Sequence, residues 1–203
     1  MQSIRKTLLM LAAAGSICRA GDIPLKEGDI VFQTIPSPQA LAIQIATRSK
    51  FNHVGVVLMH GGKLMIYEAY GHVVFTPIDA WVERDTNRHV VVKRLRAADS
   101  VLTKSSIAKL ESAALRFDGR PYDFGFSWSD KELYCSELVW KIFHGALGIN
   151  LGALRKLESF DLSSPIVQAK LREQHPNGIP MEETVISPQD IYESGLLVTT
   201  YKQ

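Results

Sequence analysis

The chain has 203 residues, 46% of them hydrophobic and 22% charged, with 23 Lys and Arg set against 21 Asp and Glu. That length and apolar content can bury a sizeable core, and the near balance of charge argues against nucleic acid as a partner. Two cysteines, Cys18 and Cys135, are too few for a disulfide framework.

At the start of the chain, Arg5 and Lys6 precede an apolar run from Leu8 to Ile17, and Cys18 and Ala20 are the small residues three and one before a cut after Ala20. Residues 1–20 read as a secretory signal peptide. The expected mature chain is a single domain, 21–203, in the periplasm or outside the cell. The apolar run is too short to cross a bilayer core of about 30 Å, and no later segment supplies the ~20 apolar residues a spanning helix needs. Ile17 stands where a lipid-anchored protein would need a small residue, so cleavage removes Cys18 and leaves Cys135 alone. Without the leader's three basic residues, 20 Lys and Arg face 21 Asp and Glu, a formal charge of −1.

Gly28 to Gln33 reads as a short strand after a turn. Ser37-Pro38 then supplies an N-cap and first helical residue for a helix to about Arg48, and Ser164-Pro165 and Ser187-Pro188 repeat that start signal. His53 to Met59 and Lys63 to Tyr70 are β-rich runs joined by Gly61-Gly62, a two-residue hairpin signal. Further strands are expected near Val73 to Thr76 and Val90 to Arg94. Ile107, Leu110, Ala114 and Leu115 recur at helical spacing in a segment that ends at Gly119-Arg120-Pro121-Tyr122. Asp123 to Asp130 is an aromatic loop, with Phe124, Phe126 and Trp128, that either walls a substrate cleft or is pinned by its aromatic anchors. Cys135 opens an amphipathic helix through Phe143, and Gly148 is its expected C-cap. The C-terminal third reads as loops and short helices without catalytic spacing.

A lone thiol at a helix start suggests a nucleophile. An ordinary thiol has a pKa of about 8.5, and a helix N-terminus with a neighbouring imidazolium favours the thiolate; the competing reading is a buried structural cysteine. If Gly61-Gly62 is the turn, Met59 faces Leu64, Val57 faces Ile66, Gly55 faces Glu68 and His53 faces Tyr70. His53 and Glu68 then become diagonal neighbours about 7 Å apart on one face. Gly55 leaves the space between them open, and a one-residue slip would undo the arrangement. Leu138, Val139 and Ile142 share the stripe of Cys135, so a helix packed on the His53 face would bring sulfur to imidazole. Cys135 would attack, His53 would move the proton, Glu68 would orient the ring, and the N–H at the helix start would supply one oxyanion donor. Glu137 is explained by the helix dipole. His60, His72, His89, His144 and His175 show no HExxH or comparable spacing, so neither a metal nor a cofactor is expected.

The stretches Gly28 to Gln33, Asn52-His53-Val54-Gly55, Tyr67-Glu68-Ala69, Gly119 to Asp123 and Tyr134 to Trp140, with Ser187-Pro188-Gln189, together resemble the YiiX/YebB-like cysteine hydrolases. These are a branch of the NlpC/p60 superfamily with a circularly permuted papain-like fold. His53 precedes Cys135 by about eighty residues, the reverse of ordinary papain-like order, as the permutation requires. The resemblance implies an α+β fold with an antiparallel sheet packed on the cysteine helix. It also implies Cys135, His53 and Glu68 as nucleophile, base and polar third member. Tyr70, Tyr122, Phe126, Trp128 and Tyr134 are the expected substrate-binding residues. Relatives in the superfamily cleave cell-wall stem peptides, while others similar to lecithin:retinol acyltransferase handle lipid acyl groups, both through an acyl-enzyme. The leader favours amide hydrolysis of a peptide such as a peptidoglycan stem. An acyl-lipid hydrolase is the alternative enzyme, and a secreted binding protein the alternative class.

Overall fold

The computed structural model describes residues 23–85 and 87–203, so the expected signal peptide and its cleavage site lie outside the described residues. The hairpin is the fold's local seed. β2 (His53–His60) and β3 (Lys63–Tyr70) pair antiparallel with Met59 opposite Leu64 and Val57 opposite Ile66, in the register set by Gly61-Gly62. Both glycines have positive φ, 57° and 77°, as the tight turn demands. β4 (His72–Thr76) continues on the outer side of β3, while β1 (Ile30–Gln33) pairs with β2 and with β5 (Val91–Leu95). β8 (Leu197–Lys202) closes the other edge, giving an antiparallel sheet in the order β4-β3-β2-β1-β5-β8. Asp29, fully buried, is held by the Arg94 guanidinium at 2.6 Å, which ties the start of β1 to β5.

Helices cover the two faces unequally. α4 (Lys104–Leu115) and α5 (Cys135–Leu147) pack together over the face that carries Val54, Val56, Leu58 and Tyr67; the Tyr67 hydroxyl donates to the Ala114 carbonyl at 2.8 Å. Leu138, Val139 and Ile142 are buried there, each contributing about 1.5–3 kcal/mol of transfer free energy. The opposite face, with Val31, Val57 and Ile66, is covered by the short helix α2 (Ile78–Val82) through Trp81 and Val82. α3 (Ala98–Val101) is a single turn before α4.

A third, smaller apolar cluster lies beside the sheet. α1 (Pro38–Thr47) starts at Ser37, whose hydroxyl accepts from Ala40 N–H at 3.0 Å. It packs against α6 (Pro165–Gln174) through Ala42, Val167 and Leu171, joined by Leu157 and by Val185 from the short ladder of β6 (Arg155–Lys156) and β7 (Thr184–Val185). α7 (Pro188–Tyr192) leads into β8.

Three expectations are corrected. α5 packs on the Val54/Val56 face rather than the His53/Glu68 face, because the apolar stripe identifies a buried side of the helix without naming the sheet face it meets. Leu115 is 55% exposed, since α4 turns Leu110, Ala113 and Ala114 inward, with Ile107 partly buried beside them. The C-terminal third supplies a strand of the main sheet, β8, whose edge position exposes most of its residues and mutes the alternation.

Candidate active site

The thiol and the imidazole meet around the end of the sheet. His53 is the first residue of β2, and its predecessor Asn52 presents a carbonyl oxygen 3.9 Å from Cys135 Sγ. Asn52 is fixed by its own side-chain amide, which accepts from Ile35 N–H at 2.8 Å and donates to the Ile35 carbonyl at 3.1 Å. Cys135, the first residue of α5, therefore reaches the ring from the opposite face by passing the strand's first residue. His53 and Cys135 are both buried, at 3% and 2% exposure.

His53 Nε2 lies 2.5 Å from Glu68 Oε2, which leaves Nδ1 for the Cys135 side chain. Burial opposes a charged ring, but the hydrogen bonds and charges of Cys135 and Glu68 outweigh it and raise the imidazolium pKa from 6.5 to about 9. Glu68 is fully buried. Its desolvation is more than offset by His53, Arg84 and Thr76, which hold the carboxyl below its ordinary value. Its second oxygen accepts from Thr76 Oγ1 at 2.5 Å and Arg84 Nη1 at 2.6 Å. A Cβ on Gly55 would stand 2.5 Å from Ile66 Cγ2, 3.2 Å from the Tyr67 carbonyl oxygen and 3.4 Å from Glu68 Cβ, so the glycine lets β2 and β3 approach closely beside Glu68.

On the other side of the thiol lies an open cavity of about 90 Å³. Its walls come from Ala42, Ile43 and Ala46 of α1, Val167 and Leu171 of α6, and Phe160, Leu162, Val185 and Ile186. Three of the expected substrate-binding residues line it with Cys135: Tyr122, Phe126 and Tyr134. Tyr122 lines the cavity beside Cys135, and burial with the neighbouring Cys135, Tyr134 and Asp123 keeps its hydroxyl protonated far above the usual range. The Tyr134 hydroxyl accepts from Ile186 N–H at 3.1 Å, and its ring meets Phe126 edge-on at 5.2 Å. Phe126 has φ 56°, a left-handed conformation set by Asp123, whose carboxylate accepts from Gly125 N–H and from both Ser127 donors.

Two expected substrate-binding residues stand away from the cavity lining. Trp128 packs edge-on against Trp140 at 5.4 Å, with Lys141 over its ring, and its N–H is taken by Glu183. The loop is thus pinned at Trp128 while it walls the cavity at Phe126. Tyr70 lies beyond the imidazole, 6.1 Å from the His53 ring centroid, and stacks on the Arg84 guanidinium at 3.9 Å. Sequence reasoning missed Thr76, Arg84 and the α6 wall. A buried carboxylate calls for a cationic or hydrogen-bonding partner, but Arg84 follows a five-residue helix without a side-chain cap and has no local signal.

A family model described as "Permuted papain-like amidase enzyme, YaeF/YiiX, C92 family" matches residues 24–201. The chain is 44% identical over 176 residues to the uncharacterized protein YiiX of Escherichia coli (strain K12), covering 87% of this chain and 86% of that protein. It also matches the crystal structure titled metalloprotein yiiX from Escherichia coli O157:H7, DUF1105, with TM-score 0.83 and 44% identity over 88% of this chain and 97% of that one. That title names a metal-binding protein. Among the described residues here, no three His, Cys, Asp or Glu side chains are grouped to hold a metal ion, and Glu68 already has Arg84 and Thr76 as partners.

Proposed function

From the premise that the chain belongs to the permuted papain-like amidase family C92, we propose that it is a thiol amidase whose nucleophile is Cys135, whose proton carrier is His53 and whose ring-orienting group is Glu68. The observation that supports the reading is the buried His53–Glu68 pair at 2.5 Å with the buried Cys135 thiol beside the Asn52 carbonyl, one residue before His53, close enough to help raise the ring's pKa. The thiolate attacks the amide carbonyl carbon, and the Cys135 N–H and the Tyr122 hydroxyl are the donors for the resulting oxyanion. The imidazolium gives its proton to the amine nitrogen as the C–N bond breaks, leaving a thioester on Cys135. The neutral ring then takes a proton from water, hydroxide character develops on that oxygen, and the thioester is hydrolysed to a carboxylic acid and free thiol.

The cavity next to the sulfur supports an amide with an apolar acyl part, because its walls are mostly methyl and aromatic groups, with Lys170 the one charged side chain among them and that one paired with Glu173. This favours an acyl-chain amide over the cell-wall stem peptide that the leader suggests. The leader itself supports a periplasmic or secreted site of action. The test is amine release from amides of increasing acyl length and from stem peptides, in wild type and Cys135→Ala. Release that grows with acyl length and disappears in Cys135→Ala is expected. Preference for stem peptides would move the substrate to the cell wall, and undiminished turnover in Cys135→Ala would overturn the mechanism.

A further inference from the structure

Glu68 is a buried anion that serves a ring whose charge changes during the cycle. While His53 is an imidazolium, the carboxylate has a counter-charge at 2.5 Å. Once the ring has given its proton to a leaving amine, that counter-charge is gone. An uncompensated buried carboxylate would then pull the proton back and oppose the transfer. The side chain that stays cationic throughout is Arg84.

Its geometry divides the carboxylate. Oε1 accepts from Arg84 Nη1 at 2.6 Å and from Thr76 Oγ1 at 2.5 Å, so Oε2 is the oxygen left to His53 Nε2. Arg84 Nη2 donates to Thr76 Oγ1 at 3.3 Å, and Tyr70 lies against the flat of the guanidinium, 3.9 Å from Cζ. The arginine side chain is 19% exposed, so its charge remains partly hydrated while Glu68 is dry. The groups facing the His53–Glu68 pair are few. β3 brings Tyr70, β4 brings Thr76, the segment after α2 brings Arg84, and α5 brings Cys135, with Tyr122 and Tyr134 behind the sulfur. β1 brings Gln33, opposite His53 in register and uncharged.

We propose that Arg84 is a positioning residue of this site. Acting through Glu68, it holds the carboxylate aimed at His53 and offsets its negative charge, so that the ring can release its proton. The proposal rests on the reading of Cys135 and His53 given above and concerns how that couple is regulated. Tyr70 belongs to the same device as the residue that holds the guanidinium flat.

The test is a pH titration of the His53 ring by nitrogen NMR in the full chain, which needs no substrate. In Arg84→Met the ring is expected to keep its proton about one pH unit higher than in wild type, the low end of the range for a neighbouring charge because Arg84 acts from behind Glu68. Arg84→Lys restores most of the wild-type titration. In a Glu68→Gln background, Arg84→Met adds no further shift. Because Arg84→Met orphans a buried carboxylate, Arg84→Gln provides a second variant: its neutral amide can still donate to Oε1, and the same upward shift is expected. Superimposable titrations in wild type and a folded Arg84→Gln overturn the proposal, as does an equal Arg84→Met shift with and without Glu68. Iodoacetamide labelling of Cys135 in wild type and His53→Ala tests the thiol reading separately. Labelling that does not depend on His53 removes that reading, while the NMR result still decides the link from Arg84 to the ring.

Discussion

The two sides of the Cys135 sulfur are built in opposite ways. Toward the sheet, His53, Glu68 and Thr76 on paired strands, with Arg84 from the segment after α2, form a chain of short polar contacts, and Glu68 uses both of its oxygens. Toward α1 and α6 the walls are aliphatic and aromatic, drawn from a satellite cluster separate from the main core. The polar side fixes atoms to within a hydrogen bond. The apolar side offers a volume, which selects by shape and tolerates variation. In the proposed reading, reaction chemistry and substrate choice thus fall to structures that can be changed independently.

The strongest way to break that division is His53→Ala. Removing His53 should cost about 10³-fold or more in kcat, with a lowered melting temperature because buried Glu68 Oε2 loses its partner. A comparable loss of acyl-length preference would show that the two sides are not separable. Stability supplies the next comparison. Leu138→Ala, in the main core, should cost about 2–5 kcal/mol in urea unfolding, whereas Leu171→Ala, beside space that is already open, should cost roughly 2 kcal/mol or less. Equal costs would place α6 in the same cooperative core as α5.

Glu137 sharpens the picture from within α5. Burial pushes its carboxyl up to about 7 against the pull of Lys141 and of the Tyr134 N–H. A raised folded pKa means that its contribution to stability is complete below the ordinary value of 4.5 and is lost as pH rises through about 7. Relative to Glu137→Gln, wild type should therefore lose about 2 kcal/mol across that window. A flat difference would mean that the Lys141 ion pair, at 2.8 Å, already compensates the buried charge. The smallest expected effect is on the apolar side: Ala46→Phe should reduce kcat/KM for long acyl amides by about tenfold, near the worth of one or two methylenes of pocket contact, without changing Cys135 alkylation. Parallel losses for short and long chains would argue that the cavity does not hold the acyl part.

What could be read from the sequence follows the same division. The hairpin register was legible because a two-residue glycine turn fixes the parity of every later pair, which brought His53 and Glu68 together on paper as they are in the fold. The Ser-Pro starts of α1, α6 and α7 were legible because proline at the first turn is a local device, reinforced by a serine side-chain cap in α1 and α7 but not at Ser164. Arg84 was not, since its contact with Glu68 depends on where α2 folds back over the sheet. The cavity was not, since α1 and α6 are far apart in the chain and neither announces its partner. The face chosen by α5 also escaped, because both sides of β2 carry apolar residues.

The order of His53 before Cys135 has a consequence for how the protein is made. The hairpin joins residues close in sequence and can form as soon as it leaves the ribosome or a translocation channel, so the imidazole and its carboxylate are assembled first. The sulfur follows only with α5, and the chamber beside it is not walled until α6 and the Val185–Ile186 segment arrive. During synthesis the chain thus carries the His53–Glu68 pair before the Cys135 thiol joins it. The thiol meets its partner first and gains its enclosure only about fifty residues later, near the end of the polypeptide.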